Sequence, residues 1–227
     1  QETFRLVGMD HFNAMFEDSR TKSWWRQVNG ECVAGPLKGQ QLEEVRSEQL
    51  TLGEFAERYP KGLVMQPDPT FTEEYEGLAG FDDGTIESSL EYRDTASWQM
   101  KSWVVGVLHN GQARAYDWND FQESHFIIDT LGGDSLLLTH ESNGGFQVWD
   151  LGSWYVPDEQ EMSVSVPRRP DDFSGPPVRW VDSTIAMLAR KLPAYQEFWH
   201  SWRTFHPNTT RWPYPALSGG EGHKGSE

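Results

Sequence analysis

The sequence predicts an α+β fold, mainly antiparallel β-meanders with two short proline-terminated helices, arranged as two related halves. Three observations predict it. Short apolar or alternating runs are separated by Gly- and Asn-bearing turns, the pattern of hairpin-connected strands. Two aromatic helical stretches each run into a proline, Pro60 and Pro207, which ends a helix. The end of the first, Phe55-Ala-Glu-Arg-Tyr-Pro60-Lys-Gly62, can also be laid on the end of the second, Trp202-Arg-Thr-Phe-His-Pro207-Asn-Thr209. Each follows a β block after a linker, as in a duplication.

Taken in order, Phe4 to Gly8 is a short apolar strand. His11 to Glu17 alternates at the strand period, with Phe12, Ala14 and Phe16 on one side and His11, Asn13 and Met15 on the other. Asp18 to Ser23 supplies turn residues, Trp24 to Val28 is the return strand, and Asn29-Gly30 reads as a two-residue hairpin turn. Glu31 to Ala34 pairs back until Gly35-Pro36 stops it. Thr51-Leu-Gly-Glu54 fits a capping box, and Leu52, Phe55, Ala56 and Tyr59 recur at helical spacing. Residues 66–97 are rich in Pro, Gly, Ser and acidic residues and read as an irregular linker, with one helical turn near Glu73 to Leu78.

The second β block has strands at Trp103 to Leu108, Gln112 to Trp118, Phe126 to Thr130, Ser135 to Glu141 and Phe146 to Leu151. Asn110-Gly111, Gly132-Gly133 and Gly144-Gly145 mark their turns, and the five read as one meander. Residues 155–180 carry five prolines and read as a loop. Ser183 to Lys191 fits a short helix. Pro193 to Phe205 fits a longer one, with Pro193 in its first turn and Phe198, Trp199, Trp202 and Phe205 as its apolar stripe. The expected units are a first half over 1–65, a linker over 66–97, a second half over 98–212 and a disordered tail over 213–227.

Composition excludes several classes. The formal net charge is −16, with no Lys/Arg cluster to offset it, so nucleic acid is repelled and no nucleic-acid partner is expected. Cys32 is the single cysteine, so an intrachain disulfide scaffold is impossible. No apolar run reaches the ~18 residues that a membrane-crossing helix needs. Gly-x-Gly-x-x-Gly, Walker, His-Glu-x-x-His and Gly-x-Ser-x-Gly patterns are absent from the sequence. Eleven Trp, twelve Phe and seven Tyr allow two readings, core packing or an aromatic-lined groove in which Trp24 and Trp25 are candidates.

The polar candidates fall in three groups, and none is assigned a catalytic role. Asp10, His11 and Asn13 lie close in sequence, and a His–carboxylate pair there binds a metal, moves a proton or serves as a surface contact. Asp117, His125, Asp129 and His140 come from neighbouring strands of the second block and form either a carboxylate–His site or ordinary strand surface. His200 and His206 are six residues apart, so on a regular helix they point about 120° apart and cannot share an ion. One of them is expected to serve the helix end. The sequence calls for no cofactor and leaves a bound metal ion open.

Several blocks together are similar to one family. Phe4 to Asp18, Ser23-Trp-Trp-Arg-Gln27, Gly35-Pro-Leu-Lys-Gly39 and Leu63-Val-Met-Gln-Pro-Asp68 resemble, in order, the uncharacterised bacterial family catalogued as domain of unknown function 3179. Ser102-Trp-Val-Val-Gly106, Ala113-Arg-Ala-Tyr-Asp-Trp-Asn119, Ile128-Asp-Thr130 and the run from Phe198 to Thr209 extend the resemblance over residues 4–212, with 152–182 diverging. The resemblance implies no activity. Family members carry a further β block, ending in a Cys-x-x-Cys-like stretch, before the segment matching Phe4. The expectation is therefore that Gln1 is not the native start, or that the missing block comes from another chain. They also often carry an upstream signal or anchor, which implies a periplasmic or extracellular location without excluding the cytoplasm. The function expected is a non-catalytic, envelope-associated binding or complex subunit with a protein partner at an exposed sheet edge. The alternative is a metal-dependent or His/Asp-based enzyme using Asp10, His11, His125 and His140.

Overall fold

The computed structural model describes residues 3–45, 47–76, 80–81, 83–86, 92–124, 126–140, 144–153 and 189–213. His125, the stretch 154–188, including most of the expected helix at 183–191, and the tail beyond 213 lie outside them. Three four-stranded sheets carry the fold, and short helices pack on them, so the α+β architecture holds.

The first sheet is a meander of β1 (Phe4–Asp10), β2 (Asn13–Asp18), β3 (Trp24–Arg26) and β4 (Cys32–Ala34), in sequence order. Two local readings change here. His11 and Phe12 both have positive φ and form the turn that closes β1 on β2, so His11 and Asn13 do not share a strand face. The alternation continued through the turn because Phe12 happened to keep its phase. The Asn29-Gly30 turn is a longer loop. Arg26 N–H reaches Glu31 O, only Gly30 has positive φ, and the Asn29 side chain accepts from the Glu31 N–H at 3.0 Å. An Asx contact replaces the second left-handed residue. Gly35 is obligatory, since a Cβ there would lie 2.7 Å from the Ser23 backbone.

Helix α1 (Leu52–Arg58) starts at Thr51, whose hydroxyl accepts from the Glu54 N–H at 3.3 Å. The Glu54 carboxylate does not complete a capping box; it turns along the helix to Arg58. A 3₁₀ turn (Pro69–Phe71) and α2 (Thr72–Glu76) follow, where the sequence placed one helical turn.

The second block divides between two sheets. β5 (Trp103–His109) and β6 (Gln112–Asp117) form a hairpin over the Asn110-Gly111 turn, both residues at positive φ. The chain then enters α3 (Trp118–Ser124), which the sequence reading missed. Its cause is local. Asp117 Oδ1 accepts from the Asn119 and Asp120 N–H groups at 3.0 and 3.3 Å, an N-cap that turns the chain out of the sheet. β7 (Phe126–Leu131), β8 (Asp134–His140) and β9 (Phe146–Gly152) then build another sheet with β10 (Arg190–Leu192). The expected single meander is thus two layers.

The expected helix at 193–205 also divides. Ala194–Phe198 is strand β11, antiparallel to β5, and only Trp199–Phe205 is helical (α4). The edge of β5 takes the backbone groups of 194–198, which local spacing cannot anticipate. β12 (Thr210–Trp212) then lies parallel to β6, giving the order β11-β5-β6-β12.

The hairpin β5–β6 is buried on both faces. Val105, Val107 and Tyr116 face the β7–β9 sheet, and with Trp118, Phe121, Leu136, Leu138 and Phe146 they form the main core. Val104 and Ala115 face α4 and pack on Trp199 and Trp202. Arg114 Nη1 and the Tyr116 hydroxyl both donate to Asp129 Oδ2, at 2.5 and 2.8 Å, and tie the two sheets together.

Candidate functional site

The β1–β2 turn reaches across to α4. Asn13 Nδ2 donates to Ser201 Oγ at 2.9 Å, His11 meets the edge of Phe205, and Phe12 meets the edge of His200. The Lys101 ammonium lies over the Phe12 ring at 5.3 Å and over Tyr92 at 4.2 Å. Between turn and helix lies a cleft of about 240 Å³, lined by His11, Phe12, Asn13, Trp103, residues 196–198, His200 and Ser201. It brings together His11, Asn13 and His200, three of the sequence candidates from opposite ends of the chain.

Some of the polar groups at this cleft are paired and others are not. Asp10 lies beside the cleft, and its carboxylate accepts from Arg26 Nε at 2.5 Å and pairs with His11 Nδ1 at 2.6 Å. Burial opposes the charge on Asp10, but those two partners outweigh it and lower its pKa. His200 is buried, and its Nε2 has no hydrogen-bond partner. Burial lowers its pKa, and the nearby charges of Lys101, Arg203 and His11 lower it further. Burial raises the pKa of Glu197, and the hydrogen bond from Ser201 offsets this only in part. A second buried nitrogen without a partner, Gln196 Nε2, belongs to the same lining.

The other candidates stay outside the cleft. Trp25 is buried, with Nε1 on Asp18 at 2.9 Å, and Trp24 Nε1 donates to Glu17 at 3.1 Å; both hold the first sheet together. Asp18 accepts from Thr21, Ser23 and Trp25. Burial opposes its charge, yet these bonds dominate and place its pKa far below the ordinary aspartate value. Asp117 caps α3, and His140 packs by its ring against Trp118 and Phe121. His206 lies on the Trp202 ring at 4.0 Å, at the end of α4. The Cys32 thiol is buried and donates to Ala34 O at 3.3 Å.

Sequence reasoning missed Lys101, Glu197 and Ser201, because the strand-to-helix switch at Phe198 that assembles them was read as continuous helix. It also missed His109, Asp134 and Asp150, each of which offers a ligand atom within 4.8 Å of the others. Their neighbours in sequence, Asn110-Gly111 and Gly132-Gly133, were the available signal, since both turns lie at the same end of the sheets. His109 Nε2 lies 2.8 Å from Asp134 Oδ2, and Asp150 accepts from Arg190 at 2.9 Å and from the Gly152 N–H at 2.8 Å. The imidazole and two carboxylates suit a divalent transition metal in residue type. A cation there would compete with Arg190 for the Asp150 carboxylate.

Among the described residues, no helix is long and apolar enough to cross a membrane. A family model described as a protein of unknown function (DUF3179) matches residues 3–209. Nothing among curated proteins or solved structures matches the chain.

Proposed function

Because the chain belongs to the DUF3179 family, whose description assigns no activity, we propose from its own geometry that it is a non-catalytic binding subunit of an envelope-associated protein assembly. The observation that carries this reading is the first sheet. Its edge strand β1, which carries one bulge between Leu6 and Gly8, leaves Phe4, Leu6 and Met9 exposed, and exposed apolar side chains along an edge strand favour a partner. The cleft adds support. Its His11 and His200 rings meet Phe205 and Phe12 where the β1–β2 turn docks on α4, so they take part in packing at that junction. The envelope location draws on the family resemblance alone.

The test is isolation of the tagged, full-length gene product from fractionated cells. The expected result is one stoichiometric partner in the envelope fraction. A monodisperse monomer without a partner, recovered from the cytoplasm, overturns the proposal.

The rival reading, a metal-dependent enzyme, is favoured by the His109, Asp134 and Asp150 group. Elemental analysis of the purified chain decides against the subunit reading if it finds one transition-metal ion per molecule that is lost in Asp134→Asn.

A further inference from the structure

The chain carries a formal net charge of −16, yet the cleft between the β1–β2 turn and α4 is set among cations. Lys101, Arg203 and His11 all add positive charge around His200. The Lys101 ammonium, on a residue only 6% exposed, lies over Phe12 at 5.3 Å and over Phe198 at 5.9 Å, two rings of the lining. The Arg93 guanidinium lies over a third lining ring, Trp103, at 4.5 Å. Two acids, Asp10 and Glu197, stand against them. Asp10 is held by Arg26 and His11. Glu197 accepts from Ser201, and burial disfavours its charge. A recess walled by apolar groups and ringed by one sign of charge concentrates the field within it.

The polar lining supplies donors. Gln196 Nε2 and His200 Nε2 are buried without a hydrogen-bond partner among the described residues, and both residues line the cleft. An amide nitrogen can only donate, and a neutral imidazole nitrogen donates when it carries the ring proton. A buried donor left unmade costs free energy that a bound acceptor recovers. Asn13, Ser201 and Glu197 are different, because Asn13 donates to Ser201 and Ser201 donates to Glu197, so that chain is already closed. The rest of the wall is aromatic, from Phe12, Trp103 and Phe198. At about 240 Å³ the cleft falls below the size of a site for a drug-sized molecule and suits a smaller one.

We propose that this cleft binds one small organic carboxylate with an apolar body. The anionic end accepts from Gln196 and His200 in the field of Lys101 and Arg203, and the body lies against Phe12, Trp103 and Phe198. Charge-assisted bonds of this kind are the stronger class of hydrogen bond. A cation would meet the Lys101 ammonium, and an inorganic anion would leave the three rings without a contact. The inference goes beyond the subunit reading and does not rest on it, since it stands on the cleft and that reading stands on the edge of β1.

The probe is benzoate, titrated calorimetrically into the purified full chain. Saturable binding at one benzoate per chain is expected. Benzamide, which has the shape without the charge, and inorganic phosphate, which has charge without the body, bind at least about tenfold more weakly. Gln196→Leu and Lys101→Met each weaken benzoate binding at least about tenfold. Affinity rises between pH 7 and pH 5.5, because a proton on His200 adds positive charge and a proton on Glu197 removes a negative one. The other charged or titratable groups at the cleft are Asp10, His11, Arg26, Arg93, Lys101 and Arg203. The rise persists in His11→Asn, since asparagine tolerates the positive φ of that position, and shrinks in Glu197→Gln. No saturable binding by the folded wild-type chain, equal affinity for benzamide, or phosphate binding as tight as benzoate overturns the inference. Undiminished binding in both Gln196→Leu and Lys101→Met overturns it as well, because the site then lies elsewhere. The three wild-type titrations decide the matter even where a variant does not fold. Recovery of an envelope partner bears on the subunit reading alone.

Discussion

His200 shows how a residue's surroundings decide what its chemistry can do. It is buried between Phe12 and Phe198, and Lys101, Arg203 and His11 add positive charge around it, so the folded protein favours its neutral form. The sign follows. With the folded pKa below the unfolded value near 6.5, stability is complete above that pH and is lost as pH falls below it. His206, lowered by burial, acts in the same direction. Glu197, with its raised pKa, opposes both, because its folded form gains from protonation as pH falls. The melting temperature of His200→Phe is therefore expected to fall less than that of wild type between pH 7 and pH 5.5. Parallel curves would show that His200 does not carry this dependence. Asp117 is the simpler case. It caps α3 through two backbone N–H groups, and Asp117→Ala is expected to cost about 1–2 kcal/mol in urea unfolding.

At the scale of elements, the β5–β6 hairpin is the piece around which the second half is assembled. Strands buried on both faces read as near-continuous apolar runs, and Trp103-Val-Val-Gly-Val-Leu108 does so. Gly106 has a steric reason, since the Trp202 ring occupies the place of its side chain. Gly106→Ala is expected to destabilise by about 3 kcal/mol, the upper range for overpacking, because the ring is fully buried, bonded through Nε1 to Thr209 and covered by His206. Chemical denaturation checks this, and a loss under 1 kcal/mol would contradict the packing described. Thr51→Ala, by contrast, removes an N-cap from a mostly exposed helix and is expected to cost about 1 kcal/mol.

At the scale of the whole molecule, the first sheet is fastened to the rest through the β1–β2 turn. Asn13 with Ser201, His11 with Phe205, and Phe12 with His200 and Lys101 are contacts of the turn, and Arg26 of β3 adds one over Phe205. Asn13→Ala combined with Phe12→Ser is therefore expected to loosen this attachment while leaving the β5–β9 core folded. Amide exchange should rise in residues 4–18 and 199–205 and stay unchanged in β8 and β9. A uniform rise across the protein would mean that the turn is part of one cooperative core.

The sequence alone was enough for the α+β class, the hairpin turns at Asn110-Gly111 and Gly132-Gly133, the capped start of α1 and the likeness of the two helix ends. Each of these rests on contacts within a few residues, where glycine's freedom at positive φ, a side-chain cap or a proline stop acts directly. Only the tertiary structure decided the division of the second block into two sheets, the conversion of 194–198 from expected helix to strand, and the meeting of His11 and Asn13 with His200. The edge of β5 competes for the backbone of 194–198, and its partner lies some ninety residues earlier in the chain. Local periodicity carries no record of that competitor, so the strand-to-helix switch at Phe198, and the cleft it creates, could be read only from the folded chain.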